Sequence, residues 1–146
     1  MSKPKILSSA GGLARTRTNT QWFCLLAGGL LLVRGVSVLV TGPSFGMPGE
    51  GWHAMFHLLS GALLLAAYRS PSVAYPAVAA FALAYGLIVA VGVINGHEAF
   101  GLIPIDTRDN VLHSAYVAAA LAVLATDRAR RHALGSRPGP ASPSPS

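Results

Sequence analysis

Glu50-Gly51-Trp52-His53-Ala54-Met55-Phe56-His57-Leu58-Leu59-Ser60-Gly61 leads into a long apolar run. A second stretch, Asp106-Thr107-Arg108-Asp109-Asn110-Val111-Leu112-His113, leads into another. A shift of 56 positions lays Glu50 on Asp106, His53 on Asp109 and His57 on His113. The pattern acid-x-x-polar-x-x-x-His therefore occurs twice, each time where a loop enters a run. Repetition of this kind predicts two related helical hairpins.

Working outward, four apolar runs divide the chain: 22–41, 52–68, 73–94 and 110–126. At ~1.5 Å rise per residue the first spans about 30 Å, the thickness of a bilayer's hydrocarbon core. The second, at 17 residues, sits at the short end of the spanning range. Pro43, Gly46, Pro48 and Gly49 break the chain after the first run, and Arg69-Ser70-Pro71-Ser72 turns it after the second. Pro76 falls in the first turn of the third run, where its missing N–H is tolerated. The expected fold class is all-α: a four-transmembrane-helix bundle over residues 21–127 built from two repeated helical hairpins. Residues 1–20 and 128–146 read as disordered tails, the second basic and then rich in Ser and Pro.

Composition supports a bilayer. Hydrophobic residues make up 52% of the chain and charged residues 11%, well below the ~25% charged of a soluble domain. The net charge of +6 does not indicate nucleic acid, because the basic residues flank apolar runs and form no stripe on a polar domain. The single cysteine, Cys24, excludes an intrachain disulfide.

Basic residues set the threading. Lys3, Lys5, Arg15 and Arg17 precede the first run, Arg69 lies between the second and third, and Arg128, Arg130, Arg131 and Arg137 follow the fourth. The opposite side carries Arg108 alone, with Arg34 inside the first run. The positive-inside rule then places both termini in the cytoplasm of a multi-pass plasma-membrane protein, as an even number of spans requires.

The outer side collects His53, His57, His97 and His113, together with Glu50, Asp106, Asp109 and Asn110. His53 and His57 share a helical face at i, i+4. On the fourth run the matching face reads Asp109, His113, Tyr116, Ala120. If both faces turn inward, His57 and His113 meet beneath the outer surface, where neutral imidazoles ligate transition metals and Glu50 or Asp109 completes the set. The competing reading makes these residues helix caps, with Asp109 or Asn110 as N-cap of the fourth run. Arg34 reads as a buried charge whose face, with Ser37 and Thr41, looks into the bundle toward an outer acid. Ala82, Gly86 and Ala90, and likewise Ala118 and Ala122, form small-residue ridges suited to close helix packing.

These motifs resemble a bacterial membrane-protein family catalogued as domain of unknown function 4383. Its members look like four-helix membrane proteins with a histidine-bearing second helix and a Gly-x-x-Pro-x-x-x-x-Asp-Asn-x-x-His stretch before the fourth. Here that stretch is Gly101 to His113, and the first motif is Trp52 to Gly61. The resemblance covers roughly residues 20–126. Glu50, Asp106, Val117 and Arg34 depart from the family pattern, and Glu50 and Asp106 make the outer face more acidic. The resemblance implies the architecture and carries no activity with it.

Two functional readings follow. The leading one is a structural, accessory or partner-binding membrane component, in contact with the bilayer and with copies of itself or a larger membrane complex. No nucleophile–base pair, phosphate loop or cofactor fingerprint is present, so neither an enzyme nor a cofactor is expected under it. The alternative is a redox or transport component whose outer His/acid cluster binds a metal, haem, quinone or proton.

Overall fold

The computed structural model describes residues 16–45, 47–48, 50–96, 98–100 and 103–135. His97 and, of the tails read as disordered over 1–20 and 128–146, residues 1–15 and 136–146 lie outside the described residues, while Thr18 caps α1 and Asn19 and Thr20 belong to it. Four helices account for nearly all of it, an all-α bundle. In order these are α1 (Asn19–Val40), α2 (Gly51–Ala67), α3 (Pro71–Asn95) and α4 (Thr107–Gly135), with a two-residue pair, β1 (Glu98–Ala99) and β2 (Ile103–Pro104), in the last connection. Glu98 pairs with Pro104 and Ala99 with Ile103, antiparallel.

Three of the helices start for a local reason. At α1, Thr18 accepts the Gln21 amide at 3.2 Å while the Gln21 side chain accepts the Thr18 amide at 3.1 Å, a reciprocal cap. α3 has proline at its first position and ends on Gly96 at φ +80°. It starts two residues before the run read from the sequence, so Pro76 falls in the second turn and leaves the carbonyl of Ser72 without its usual donor. α4 starts three residues earlier than expected, because Asp106 caps it. The Asp109 amide donates to Asp106 Oδ1 at 2.8 Å, and the Asp106 amide approaches Asp109 Oδ2 at 3.4 Å. Neither Asp109 nor Asn110 is the cap. At its other end α4 runs through Arg128, Arg130 and Arg131 to Gly135, so residues 128–135 are helical rather than disordered.

α1 and α2 approach each other closely. A Cβ on Gly61 would meet Gly28 O at 2.8 Å and Leu32 N at 3.0 Å; a Cβ on Gly28 would meet Gly61 O at 3.0 Å. Backbone therefore packs on backbone there, the arrangement small residues permit inside lipid. The ridge expected on α3 does not serve this purpose: Gly86 faces open space, and Ala90, Ala118 and Ala122 are exposed. The core gathers Phe23, Cys24, Leu31, Leu64, Val78, Phe81 and Tyr85, with Ala120 from α4. Outward faces are apolar, with Leu83 75% and Ile94 81% exposed. Water would not tolerate so much apolar surface on a monomer. α1, α3 and the Thr107–Ala133 part of α4 are long and apolar enough to cross a membrane; α2 is apolar but only 17 residues long.

At the end of the bundle holding the N-terminus of α1, polar groups lock three helices together. Asp127 of α4 is 4% exposed. It accepts the amides of Asn19 and Thr20 at 3.2 and 2.9 Å and the Thr20 hydroxyl at 2.8 Å. Gln21 Nε2 donates to the carbonyl of Tyr68, the residue that ends α2, at 2.8 Å.

Candidate metal centre

Three imidazoles meet at the opposite end of the bundle. His53 and His57 come from the first two turns of α2, and His113 from the second turn of α4. The i, i+4 spacing stacks the first two on one face. The Gly28–Gly61 contact seats α2 against α1, and Ile105, 1% exposed against Ile88, anchors the chain just before the Asp106 cap of α4. His53, His57 and His113 are 1%, 4% and 1% exposed. His53 Nε2 lies 3.1 Å from both other Nε2 atoms, which are 3.4 Å apart.

Hydrogen bonding alone cannot satisfy this triangle. The Nε2 of a neutral imidazole either donates or accepts. With three mutually facing nitrogens and two roles, at least one pair must be alike and repel. A cation among three lone pairs removes the conflict. Separations of 3.1–3.4 Å fit three nitrogens that would share one tetrahedral ion at bonds of about 2.05 Å. His53, His57 and His113 would hold such an ion through their Nε2 atoms, and the ion would supply Lewis acidity there. No further His, Cys, Asp or Glu joins the three among the described residues.

Asp109 stands behind the triad. Its Oδ2 is 3.4 Å from His53 Nδ1, an ion-pair distance but not aligned as a hydrogen bond. A carboxylate there favours the tautomer that leaves Nε2 free to ligate. The Nδ1 of His113 is buried without a hydrogen-bond partner. Tyr85 of α3, fully buried, packs edge-on to His113 with ring centroids 5.0 Å apart and shares a hydrogen bond of 2.9 Å with Ser60. The sequence offered no signal for Tyr85, since its immediate neighbours in the chain are apolar or small.

The remaining predicted residues separate. Glu50 does not reach the triad: its Oε2 accepts the Ser44 amide at 2.7 Å, so the repeat places Glu50 and Asp106 alike in sequence but not in role. Asp106 serves as the cap. Asn110 packs on α3, where a Cβ on Gly92 would come within 2.5 Å of its Oδ1. Arg34 is not a buried charge. It is exposed, as are Ser37 and Thr41, because the inward stripe of α1 runs through Leu31, Gly35 and Val38. Arg34 lines a polar cavity of about 290 Å³ together with Pro48, His57, Asp106, Arg108, Asp109 and Leu112.

The three nitrogens, 3.1–3.4 Å apart, do not form a pair of ligands for opposite faces of one haem.

The family model described as Domain of unknown function (DUF4383) matches residues 39–126, more than half of the chain. The match takes in both histidine stretches and omits most of α1. No curated protein and no solved structure matches the chain.

Proposed function

We propose, for a chain that belongs to the DUF4383 family, a four-span plasma-membrane protein that binds one divalent first-row transition metal ion on His53, His57 and His113. The observation that carries this reading is the convergence of three buried Nε2 atoms to 3.1–3.4 Å. An all-imidazole set suits zinc, copper, iron or nickel.

Carboxylate hydrogen bonds at the start of α4 support metal binding over helix capping for this cluster. Asp106 and Asp109 satisfy the first turn of α4 reciprocally. That leaves the histidines without a capping duty and favours the metal. Three protein ligands with an open fourth position characterise sites that exchange a ligand, whereas purely structural zinc sites are closed by four.

The threading belongs to the same proposal. Arg17 lies over the Tyr68 ring at 4.4 Å and Arg131 over Tyr75 at 4.5 Å, at the end of the bundle that also carries Arg69 and Arg128. Basic and amphipathic aromatic side chains gather in this way at a cytoplasmic membrane interface. The metal centre then lies one to two turns inside the outer surface, and α2 crosses as a short span of ~26 Å.

The test is elemental analysis of protein purified in mild detergent and dialysed against zinc. One ion per chain is expected, with loss of the ion in His57→Ala and His113→Ala while Asp106→Asn keeps it. Substoichiometric metal in the folded parent, or equal retention in the histidine variants, rules the centre out.

A further inference from the structure

A groove of about 530 Å³ runs between α2 and α3, and no histidine lines it. Leu59, Leu63 and Val73 edge it with exposed side chains. Ala66, Ala77, Ala80 and Ala84 leave it hollow, where α3 elsewhere turns Leu83 and Leu87 outward. Polar side-chain atoms enter it only from Ser60 and Tyr85. Those two hydroxyls bond to each other at 2.9 Å, and Ser60 also donates to the Phe56 carbonyl at 2.7 Å. Both are provided for, so the groove suits hydrocarbon and not a polar head. An apolar hollow left unfilled forfeits dispersion contacts along its lining. From Phe56 to Ala67 the groove follows α2 for about 16 Å at ~1.5 Å per residue. That is close to half of a ~30 Å hydrocarbon core, the depth of one leaflet's acyl chain.

Ala67 and Val73, at one end of the groove, flank the turn that carries Arg69, which is exposed. Arg17 and Arg131 lie over Tyr68 and Tyr75 at the same end, and Arg128 and Arg130 belong to the same end of α4. Asp127 is the carboxylate that the described residues place there, and it keeps its charge while it accepts the Asn19 and Thr20 amides. Glu50, Glu98, Asp106 and Asp109 belong to the opposite end. Five guanidiniums against one carboxylate leave the Arg69 end positive. Basic clefts between membrane helices receive anionic lipid headgroups.

We propose that the α2–α3 groove binds one anionic phospholipid. One acyl chain lies in the groove, and the phosphate meets Arg69 through charge-assisted hydrogen bonds. The lipid comes from the leaflet on the Arg69 side, which the proposed threading makes cytoplasmic. The site rests on the membrane-spanning reading and is independent of the metal centre.

The experiment reconstitutes full-length protein in phosphatidylcholine vesicles. These are doped, in parallel, with a phosphatidylglycerol or a phosphatidylcholine that carries the same mid-chain diazirine. Retention of the protein through an alkaline wash is measured first, and cross-linked peptides are mapped after illumination. The phosphatidylglycerol probe should label α2 and α3 and be displaced by unlabelled phosphatidylglycerol, whereas the phosphatidylcholine probe should label outward faces evenly. Arg69→Gln should cut the α2–α3 labelling by the anionic probe about fivefold or more. Ala80→Phe, which fills the groove, should remove it, and Leu83→Phe, outside the groove, should leave it. Arg69→Gln lies on the surface and carries the test if Ala80→Phe does not fold. Protein lost in the wash refutes the membrane reading and this site with it. Retained protein that both probes label alike, or whose Arg69→Gln variant is labelled as the parent is, refutes the lipid site alone.

Discussion

Replacing Gly61 with alanine tests whether the α1–α2 contact holds the metal centre in register. The new Cβ would stand 2.8 Å from Gly28 O and 3.0 Å from Leu32 N, where ordinary contact begins at 3.4 Å. Both neighbours are backbone, so no side chain can swing aside, and the helices must part by about 0.6 Å at this point. Overpacking of this kind costs about 1–3 kcal/mol. Against it stands the gain of about 1 kcal/mol from replacing glycine by alanine within a helix. Gly86→Ala supplies the reference, because its Cβ would meet nothing within 4 Å and it carries the propensity gain alone. The difference between the two variants, about 1–3 kcal/mol, isolates the contact. Equilibrium unfolding in mixed detergent–SDS micelles measures it. Gly61 lies one turn beyond His57, so the Gly61→Ala variant should also bind zinc more weakly in competition with a chelator. Equal stabilities for Gly61→Ala and Gly86→Ala, within about 0.5 kcal/mol, refute the reasoning.

Three further expectations concern other parts of the molecule. Asp109→Asn should weaken zinc binding about 10–100-fold in chelator competition, the usual effect of losing a carboxylate behind a ligating histidine; unchanged affinity removes Asp109 from the site. Asp127→Ala strips two amides and a hydroxyl of α1 of their acceptor, at a cost of about 2–4 kcal/mol for a charged acceptor inside the bundle; an unfolding midpoint equal to the parent's contradicts this role. Single cysteines at Ser44 and Ser70, in a background lacking Cys24, should react with an impermeant thiol reagent from outside and only after permeabilisation, respectively; the reverse pattern inverts the threading.

Much of the architecture was legible because the chain carries long uninterrupted apolar runs, and Pro43, Pro48, Pro71 and Gly96 mark their ends. The inward faces of α2 and α4 were legible too, since His53, His57, Gly61 and Leu64 follow helical periodicity, as do His113, Tyr116 and Ala120. What escaped was the choice between chemically similar partners. Asp106, Asp109 and Asn110 are all good caps by residue type, and only the path of the preceding loop, anchored by Ile105, selects Asp106. Small residues recur on all four runs, so spacing cannot say that Gly28 meets Gly61 while Gly86 meets nothing. Arg34 was assigned inward with Ser37 and Thr41, but the stripe of Leu31, Gly35 and Val38 lies to one side of it. The bond between Asp127 and Thr20 spans 107 positions, and no local pattern announces it.

That bond bears on how the protein is made. Chains emerge from their N-terminus, so in the proposed four-span topology α1 enters the bilayer long before Asp127 exists. Until α4 is inserted, the Asn19 and Thr20 amides must rely on water and headgroups at the membrane surface. The final helix therefore completes the end of the first, and the bundle closes as a ring of helices only when synthesis is nearly over. A chain terminated at Thr126 would contain all four apolar runs and still lack the group that fastens its two ends. Such a nascent chain should insert normally yet remain open to surveillance proteases, whereas one ending after Gly135 should be resistant.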